Sequence, residues 1–379
     1  MPELSEAEKR ILDFIERNPF VEQSEIAVQL KVARSTVAAH ISQLVSKGAL
    51  LGRGYILPDP QKVTCIGGVA YNRKFTLDND PLMATSNPAT GGQSYGGVAR
   101  NIAENLARLN MDVSLISIVG DDAAGKELLH NLQLLGIDTG QITISNTAKT
   151  AEYIAIFDPN SELVIGVASM EIFDEFTDKQ IAHSQSHIVS SDWVILDCNL
   201  TSAAISKVIE LKQKANFRLA VDTVSVSKAK RLPKDLSAID LLFTNRDEAA
   251  SILEEYQIFE TVDVSQTAKL LRERGVQGVV ITDGAEGHLV SIDDQEFQTP
   301  ALSTQVVNVS GAGDALMAGF LYGLRSEQSY NYASHAGAAA SSLTVESNSD
   351  VRSDLNELLL DEHIAQTQEL FSEGFDDQN

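Results

Sequence analysis

Cysteine and long apolar runs are scarce in this 379-residue chain, and each shortage excludes a class of protein. The two cysteines, Cys65 and Cys198, lie in separate apolar runs, which argues against a disulfide framework and a C-x-x-C metal site. No run of about 18 apolar residues occurs, and the amino terminus lacks the basic and apolar regions of a signal peptide. We therefore expect a cytoplasmic protein with buried thiols and no membrane contact.

Positive charge is also scarce, because 29 Lys and Arg residues face 53 Asp and Glu residues, for a net charge of −24. Spread evenly, this charge would repel nucleic acid. It is not spread evenly, since residues 1–57 hold equal numbers of both signs and every charge after Glu25 within them is positive. The acidity belongs to the rest of the chain, and one half of a small N-terminal domain is basic.

Residues 1–57 are predicted to form three helices and a β-wing. Ser5 and Glu8 have the spacing of a capping box, and Ser24 is expected to cap a second helix. A third helix follows over residues 34–45, and its apolar spacing leaves one polar face outward. The predicted wing spans residues 48–57, and residues 58–61 form a proline-stiffened linker.

The outward face of the third helix suits the major groove of DNA, because small and hydroxyl side chains allow close approach. Basic residues of the helix and wing, including Lys47, would hold phosphates. The segment resembles a winged helix-turn-helix of bacterial regulators. The alternative interpretation is a structural cap that contacts only the rest of the protein or a partner subunit. The candidate DNA contacts are Arg34, Ser35, Thr36, His40 and Arg53.

Residues 62–365 alternate apolar β runs with helical segments, which predicts an α/β domain with a doubly wound, mostly parallel sheet. Two stretches break this alternation, near residues 71–95 and 149–170. They have the pattern of strand pairs without helices, and we expect them to form a small β-lid that excludes water and offers a dimer surface. Residues 366–379 are expected to be an acidic tail.

The most informative motif is Gly311-Ala312-Gly313-Asp314, between a strand-like run over residues 304–309 and an apolar helix from residue 315. Glycines expose consecutive backbone amides, and the helix dipole adds positive potential, so a phosphoryl group would be stabilised there. Asp314 would stand where a general base is needed. Alone, the motif is equally compatible with an ordinary capped turn.

No G-x-x-x-x-G-K-[ST] loop occurs, so bound ATP would need another phosphate site. Further glycine turns and polar groups follow predicted strands, in the order Gly96-Gly97-x-x-x-Asn101, Gly120-Asp121-x-x-x-Gly125, Asn245-x-x-Glu248, Thr282-x-Gly284-x-x-Gly287 and finally the Gly311–Asp314 run. With these motifs in this order, residues 62–365 resemble the ribokinase-like (PfkB) carbohydrate and nucleoside kinases. Within that family the likeness is greatest to kinases of pseudouridine, through Ser86-Asn87-Pro88, Asp197-Cys198-Asn199 and residues 308–319.

This resemblance implies ATP and Mg²⁺ as cofactors and the 5′-hydroxyl of a nucleoside as the acceptor. It implies that Asp314 is the base and that Gly311, Ala312 and Gly313 form the anion hole. Asn72, Gly96, Gly97, Asn101 and Asn199 would bind the acceptor, and Asn245, Glu248, Thr282, Gly284 and Gly287 would bind the nucleotide, with Glu248 reaching the metal through water. A homodimer is expected.

Two departures from the family pattern bear on the substrate and on ions. Asn72 stands where the family usually has an Asp that binds two sugar hydroxyls, so the amide would bind them without a charge. Asn308 replaces an Asp that shapes a monovalent-cation site in many relatives, and a monovalent-cation requirement stays open.

Three functions therefore remain possible at the level of sequence. The first is a kinase for pseudouridine, and the second is a related activity on another nucleoside, ribose or a ketose phosphate. The third is a ligand-sensing transcription regulator whose kinase-derived body acts as the sensor.

Overall fold

The structure, a computed structural model, describes residues 4–17, 21–51, 61–160, 162–254, 263–302, 304–325 and 329–373. Its N-terminal part is a three-helix unit whose buried apolar residues, among them Ile15, Ile26 and Leu44, pack on one another. The predicted wing and linker, including Arg53, lie largely outside the described residues. The three helices are α1 (Glu6–Arg17), α2 (Gln23–Leu30) and α3 (Arg34–Ser46).

One of the two predicted helix caps is correct. The Ser5 amide donates to the Glu8 carboxylate at 2.7 Å and the Glu8 amide donates to the Ser5 hydroxyl at 3.3 Å, which is the reciprocal capping box. Ser24 does not cap α2, because the helix begins at Gln23, two residues before the predicted start at Glu25, and its N-cap position is Glu22. The Ser24 hydroxyl donates to the Glu22 side chain instead.

An eight-stranded sheet forms the centre of the main domain. Six neighbouring strands are parallel, and an antiparallel hairpin extends one edge. In spatial order the strands are β14 (Gln295–Thr299), β13 (His288–Ile292), β12 (Gly278–Thr282), β11 (Leu241–Asn245), β10 (Arg218–Asp222), β9 (Trp193–Asp197), β1 (Val63–Ile66) and β4 (Val113–Ile116). The carboxyl ends of the parallel strands share one edge, where sites of such sheets form.

Helices cover both faces of this sheet because successive strand residues point to opposite sides. Ile66 and Val221 belong to the core on one face, and Cys65 and Ala220 belong to the core on the other. Both cysteines are free and buried, as predicted. The helices are α4 (Val98–Arg108), α5 (Ala123–Leu134), α6 (Asp178–His183), α7 (Gln185–Ser190), α8 (Ser202–Lys212), α9 (Val226–Ala229), α10 (Arg246–Glu254), α11 (Val264–Glu273), α12 (Ala312–Arg325), α13 (Tyr330–Val345) and α14 (Glu357–Glu373).

The two stretches predicted to pair as strands lie together in a second, four-stranded sheet. Its order is β3 (Ala89–Gly96), β2 (Ala70–Leu77), β7 (Glu152–Phe157) and β8 (Leu163–Ser169). β2 starts four residues after β1 ends, and β3 leads through Gly97 into α4, so this lid sheet joins the main sheet beside the ends of its strands. A third pair, β5 (Ile118–Gly120) and β6 (Thr143–Ser145), is parallel.

The C-terminal third differs from the sequence-based expectations in three places. The β13–β14 hairpin was not predicted, and residues 304–309 form no strand among the described residues; instead the amides of Val307 and Asn308 both donate to the Val345 carbonyl at the end of α13. α14 continues to Glu373 and therefore includes residues assigned to the acidic tail. Its apolar residues Leu360 and Ile364 are buried against α13 and stabilise it.

The N-terminal helices contact the main domain through α7. The Gln185 side chain donates to the Ser46 carbonyl at 3.5 Å, and a side chain at Gly48 would overlap Val189 and Ser190. Among the described helices, none combines the length and apolar character needed to cross a membrane.

Candidate active site

Asp314 lies in the first turn of α12, at the carboxyl edge of the main sheet, and only 8% of it is exposed. First-turn amides of a helix have no intrahelical acceptor, and the helix dipole makes this end positive. Gly311 precedes the helix with φ +79°, and its carbonyl accepts from the Ala315 amide. The turn therefore places a carboxylate next to backbone donors suited to an anion.

The Asp314 carboxylate is held by Asn101 of α4, whose side-chain amide donates to it at 2.8 Å. The orientation of that amide is fixed because the Arg100 guanidinium donates to the Asn101 side-chain oxygen at 3.1 Å. Arg100 is buried, pairs with Glu104 and also donates to the Tyr95 carbonyl. Asn101 was expected to bind substrate hydroxyls, and the structure gives it this contact with Asp314.

Burial raises the pKa of Asp314 to about 7, and the nearby charges of Asp197 and Asp350 also raise it. The hydrogen bond from Asn101 lowers this pKa and opposes part of the increase. A carboxyl group with a pKa near neutrality is well matched to accept a proton from an alcohol at physiological pH.

For a reaction in which Asp314 is the general base, we predict that kcat/KM falls about tenfold per pH unit below pH 7, because a carboxyl group accepts a proton only when it is ionised. Above that pH the rate should level off. Initial rates between pH 5.5 and 9 at fixed ionic strength measure this. A rate that stays constant down to pH 5.5, in a protein that is still folded there, would contradict the prediction.

Asp197, at the end of β9, organises the two glycine turns nearby. Its carboxylate accepts from the amides of Gly68 and Ala99, and also of Asn199, at 2.8 Å each. Burial raises its pKa, and these hydrogen bonds oppose the increase. Gly97, with φ +102°, must be glycine because a Cβ there would overlap the Gly68 backbone.

Two adjoining cavities open beside Asp314. The larger, of about 430 Å³, is lined mainly by small and apolar side chains and includes Thr282, Gly284 and Gly287 of the predicted nucleotide site. The smaller, of about 160 Å³, is lined by Asn245, Glu248 and Asp314. Both are lined by Thr282 and Gly313, so the two cavities adjoin each other. Their size and lining suit a nucleotide whose phosphates point toward Asp314.

The Glu248 carboxylate is fixed by its neighbours at the start of α10. It accepts from the Asn245 side-chain amide at 2.8 Å and from the Thr223 hydroxyl at 2.5 Å, while the Glu248 amide donates to the Asn245 side-chain oxygen at 2.9 Å. Asp222 lines the same small cavity, and burial together with Asp314 raises its pKa well above the usual range.

A magnesium ion bound with nucleotide fits this carboxylate-lined cavity. No group of three metal-ligating side chains occurs in the part of the chain that the structure describes. Mg²⁺ in phosphoryl-transfer sites commonly keeps several waters and uses one or two carboxylates plus phosphate oxygens. Asp222, Glu248 and Asp314 place three carboxyl groups around the cavity, and a hydrated cation bound there would favour the ionised forms of Asp222 and Asp314.

The predicted acceptor residues lie in the lid strands β2 and β3 and where the lid joins the main domain, and Asn101 among them contacts Asp314. The Asn72 side chain packs against Gly96, so that a Cβ at Gly96 would overlap it. The Asn199 side-chain oxygen accepts from Lys228 at 2.6 Å, and its amide packs against Gly68. Asn308, at the possible monovalent-cation site, accepts from the Ser310 amide.

On the N-terminal helices, four of the five candidate DNA contacts fall within the described residues. Arg34, Ser35 and Thr36 are exposed at the start of α3, and His40 is half-buried on the same helix, where it contacts Gln43. Lys47 was expected to hold phosphate, but it forms an ion pair with the buried Glu8 at 2.8 Å.

Several residues that shape the site were missed by sequence reasoning. Arg100 and Asp222 could have been noticed, because one lies next to Asn101 and the other ends a predicted strand. Ser94, Lys228 and Asp350 gave no local signal, since each reaches the site only through strand pairing or a long loop.

Comparison with known proteins agrees with this geometry. Residues 60–356 match the pfkB family carbohydrate kinases, and residues 4–50 match a winged helix-turn-helix DNA-binding family. The chain is 31% identical to the uncharacterized sugar kinase YeiI of Escherichia coli (strain K12) over 342 residues, covering 90% of this chain and 94% of that protein. It is 30% identical to the pseudouridine kinase of the same strain over 273 residues, covering 71% and 86%.

Solved structures show the same fold. A carbohydrate kinase from Agrobacterium tumefaciens superposes with a TM-score of 0.72 at 27% identity, covering 80% of this chain and 97% of that one. The predicted ribokinase-like α/β fold is thus confirmed. The matched family segment contains the lid, both cavities and Asp314, so the chain belongs to the pfkB family of sugar and nucleoside kinases and carries a winged helix-turn-helix in front of it.

Proposed function

We propose that the protein transfers the γ-phosphoryl group of ATP to the 5′-hydroxyl of a nucleoside, with pseudouridine as the favoured acceptor. The observation that carries this proposal is the position of Asp314. It lies at the first turn of α12, where it lines the smaller cavity and contacts Asn101 of the predicted acceptor site. The 30% identity to a pseudouridine kinase supports the choice of acceptor.

In the proposed reaction, the Asp314 carboxylate accepts the proton of the 5′-hydroxyl as its oxygen attacks the γ-phosphorus and ADP leaves on the opposite side. The amides of Gly311, Ala312 and Gly313 would then face the negative charge that develops on the phosphoryl oxygens. Asn101, oriented by Arg100, holds the carboxylate in place for this step.

Asp222 and Glu248 would hold Mg²⁺ through water at the smaller cavity, where Asn245 and Thr223 keep the Glu248 carboxylate in position. When bound, the ion would neutralise charge on the ATP phosphates. The reaction would take place in the cytoplasm, where ATP is supplied.

The first experiment is ADP release by the purified protein with ATP and Mg²⁺. The acceptors are pseudouridine, uridine, inosine, cytidine, ribose and fructose 6-phosphate, each tested with and without K⁺. Turnover that is fastest with pseudouridine would support the proposal. Faster turnover with another acceptor would keep the reaction type and replace the substrate. No turnover with any acceptor would contradict the kinase proposal and favour a ligand-sensing regulator.

A second role, DNA binding, is favoured by the match of residues 4–50 to a DNA-binding family and by the exposed start of α3. Because α3 and the following turn contact α7 of the kinase domain, acceptor binding and DNA binding would be coupled if either shifts this contact.

We predict that Arg34→Ala weakens DNA binding on all sequences by about tenfold at physiological salt, because it removes one phosphate contact. Footprinting of the upstream region of the protein's own gene, followed by salt-dependent gel shifts, measures this. Lys126→Ala in α5 removes the same charge from a residue that is 71% exposed, and it should leave binding unchanged. Equal effects of both variants would show that only net charge matters.

We also propose a homodimer that forms through the lid. Strand β8 lies at the edge of the lid sheet and exposes Leu163, Ile165 and Val167, each about half accessible. An apolar edge strand is a pairing surface, and a second copy would cover it. Sedimentation equilibrium at micromolar concentration determines the oligomeric state.

A further inference from the structure

Val224 has a strained backbone at the carboxyl edge of the main sheet. It lies two residues beyond the end of β10, has φ +66° and lines the smaller cavity. The Ser225 amide donates to the Thr223 carbonyl at 2.7 Å, across Val224. Residues 223–225 therefore form a γ-turn with positive φ at its centre, which is the rare and strained form of this turn.

No other described residue combines a positive φ with a β-branched side chain. Five non-glycine residues in this part of the chain have positive φ, and the other four are Lys31, Ala84, Asn110 and Asp293. A β-branched residue is a genuine outlier in this conformation, whereas glycine adopts it at little cost. Strained residues cluster at functional sites. Because glycine would serve the turn itself, the function of Val224 must depend on its side chain.

Hydrogen bonds on both sides fix this turn. The Val224 amide donates to the Asp222 carboxylate at 2.8 Å, and the Thr223 amide donates to the Phe243 carbonyl at 3.2 Å. The buried Thr223 hydroxyl donates to Glu248. The turn cannot relax without loss of these bonds, so the Val224 side chain is kept at the wall of the cavity.

Four apolar side chains of the described residues line this cavity beside its carboxyl groups. Three of them, Val98, Phe243 and Leu316, belong to α4, β11 and α12, so regular secondary structure places them. Val224 alone is placed by a turn, at the cost of backbone strain. Its position therefore indicates a specific need for an apolar group at this part of the wall.

Water in this cavity would compete with the acceptor for the phosphoryl group. The Asp314 carboxylate, which would accept a proton from an acceptor hydroxyl, can equally accept one from water. The water oxygen would then attack the γ-phosphorus, the bond from phosphorus to the leaving ADP oxygen would break, and inorganic phosphate would be released. Enzymes prevent this side reaction by excluding water from the site. An apolar side chain contributes because it offers water no hydrogen bond.

We propose that Val224 excludes water from the phosphoryl-transfer site and thereby makes the enzyme select an acceptor hydroxyl over water. This inference rests on the proposed function and deepens it, because it assigns a residue that suppresses hydrolysis of ATP. The strained turn keeps this side chain at the cavity that Asp314 also lines.

The competing explanation is that Val224 only packs against the core on one face of the sheet, where it is half-buried. Loss of packing would lower the stability of the protein as more side-chain atoms are removed, and it would leave the reaction products unchanged. Loss of a water barrier would instead raise the ratio of inorganic phosphate to phosphorylated acceptor.

The test compares the wild type with Val224→Ala and Val224→Gly. The matched controls are Val226→Ala and Val226→Gly, since Val226 is the same residue type, begins α9 and is 45% exposed. Each protein is given ATP, Mg²⁺ and the fastest acceptor of the panel, and inorganic phosphate and phosphorylated acceptor are measured in the same reactions. Thermal unfolding without ligands gives the order of stability.

We expect the ratio of inorganic phosphate to phosphorylated acceptor to rise about tenfold or more in both Val224 variants. Both Val226 variants should keep the wild-type ratio. At position 226, which is helical, the alanine variant should unfold at a higher temperature than the glycine variant. At position 224 this order should reverse, because glycine accepts φ +66° and alanine does not.

A wild-type product ratio in both folded Val224 variants would overturn this inference and leave the kinase proposal intact. An alanine variant that is more stable than the glycine variant at position 224 would also overturn it, because the turn would then not be strained. A wild type that phosphorylates no acceptor would overturn both proposals.

Discussion

Asp314→Asn is expected to lower kcat by roughly a thousandfold, because the amide cannot accept the proton of the attacking hydroxyl. Asn keeps the shape of the side chain, and its oxygen still accepts from Asn101, so the site should keep its geometry. The KM for ATP should change little. ADP release with the best acceptor, measured under single-turnover conditions, isolates the chemical step.

The same substitution is expected to leave the protein folded and to stabilise it at alkaline pH. Burial raises the Asp314 pKa to about 7 from an ordinary value of 3.8. Folding therefore favours the protonated acid, and stability from this group is complete below about pH 4 and lost as pH rises through 7. At pH 8 the variant should gain on the order of a few kcal/mol in the free energy of unfolding.

Asp174→Asn provides the matched control, since Asp174 is exposed in the short helix after β8. It should leave both kcat and the pH dependence of stability unchanged. An Asp314→Asn enzyme with near-normal turnover would show that another group accepts the proton. A variant that unfolds at pH 8 more easily than the wild type would show that the buried carboxylate is stabilised by contacts that outweigh its burial.

Gly311→Ala is expected to lower kcat by a hundredfold or more, comparable to loss of one donor of an oxyanion hole. At φ +79° an alanine costs roughly 1–2 kcal/mol for the backbone alone. Its Cβ would also overlap the Asp350 carbonyl oxygen. The turn must therefore move, and the first-turn amides of α12 would move with it. Steady-state kinetics and thermal unfolding measure the two effects.

Gly313→Ala is the comparison for folding, because it adds the same methyl group two residues away, where nothing lies within 4 Å. The thermal unfolding midpoint of Gly313→Ala should differ from that of the wild type no more than for an ordinary surface substitution. The unfolding midpoint of Gly311→Ala should be lower. Wild-type kcat in a folded Gly311→Ala protein would contradict the assignment of this turn as the anion site.

The local motifs could be predicted from the sequence because the interactions that form them involve only neighbouring residues. Glycines at positions needing positive φ, a carboxylate in a first helical turn and the 3.6- or 2-residue apolar periods all act over a few neighbouring residues. The Ser5 and Glu8 capping box is of this kind. Residues 304–309 show where prediction from local pattern fails. Their apolar pattern is that of a strand, but their backbone hydrogen bonds go to the end of α13.

The sequence by itself determined the alternating α/β architecture, the separate N-terminal segment with one basic half, and Asp314 at a glycine turn. Only the tertiary structure decided that Asn101 holds Asp314 and that Arg100 orients Asn101. It also decided that Asp350, 278 residues after Asn72, contacts it across the site. Such pairs form because the carboxyl ends of parallel strands and the lid converge in space. The spacing of residues along the sequence does not predict which distant residues meet there.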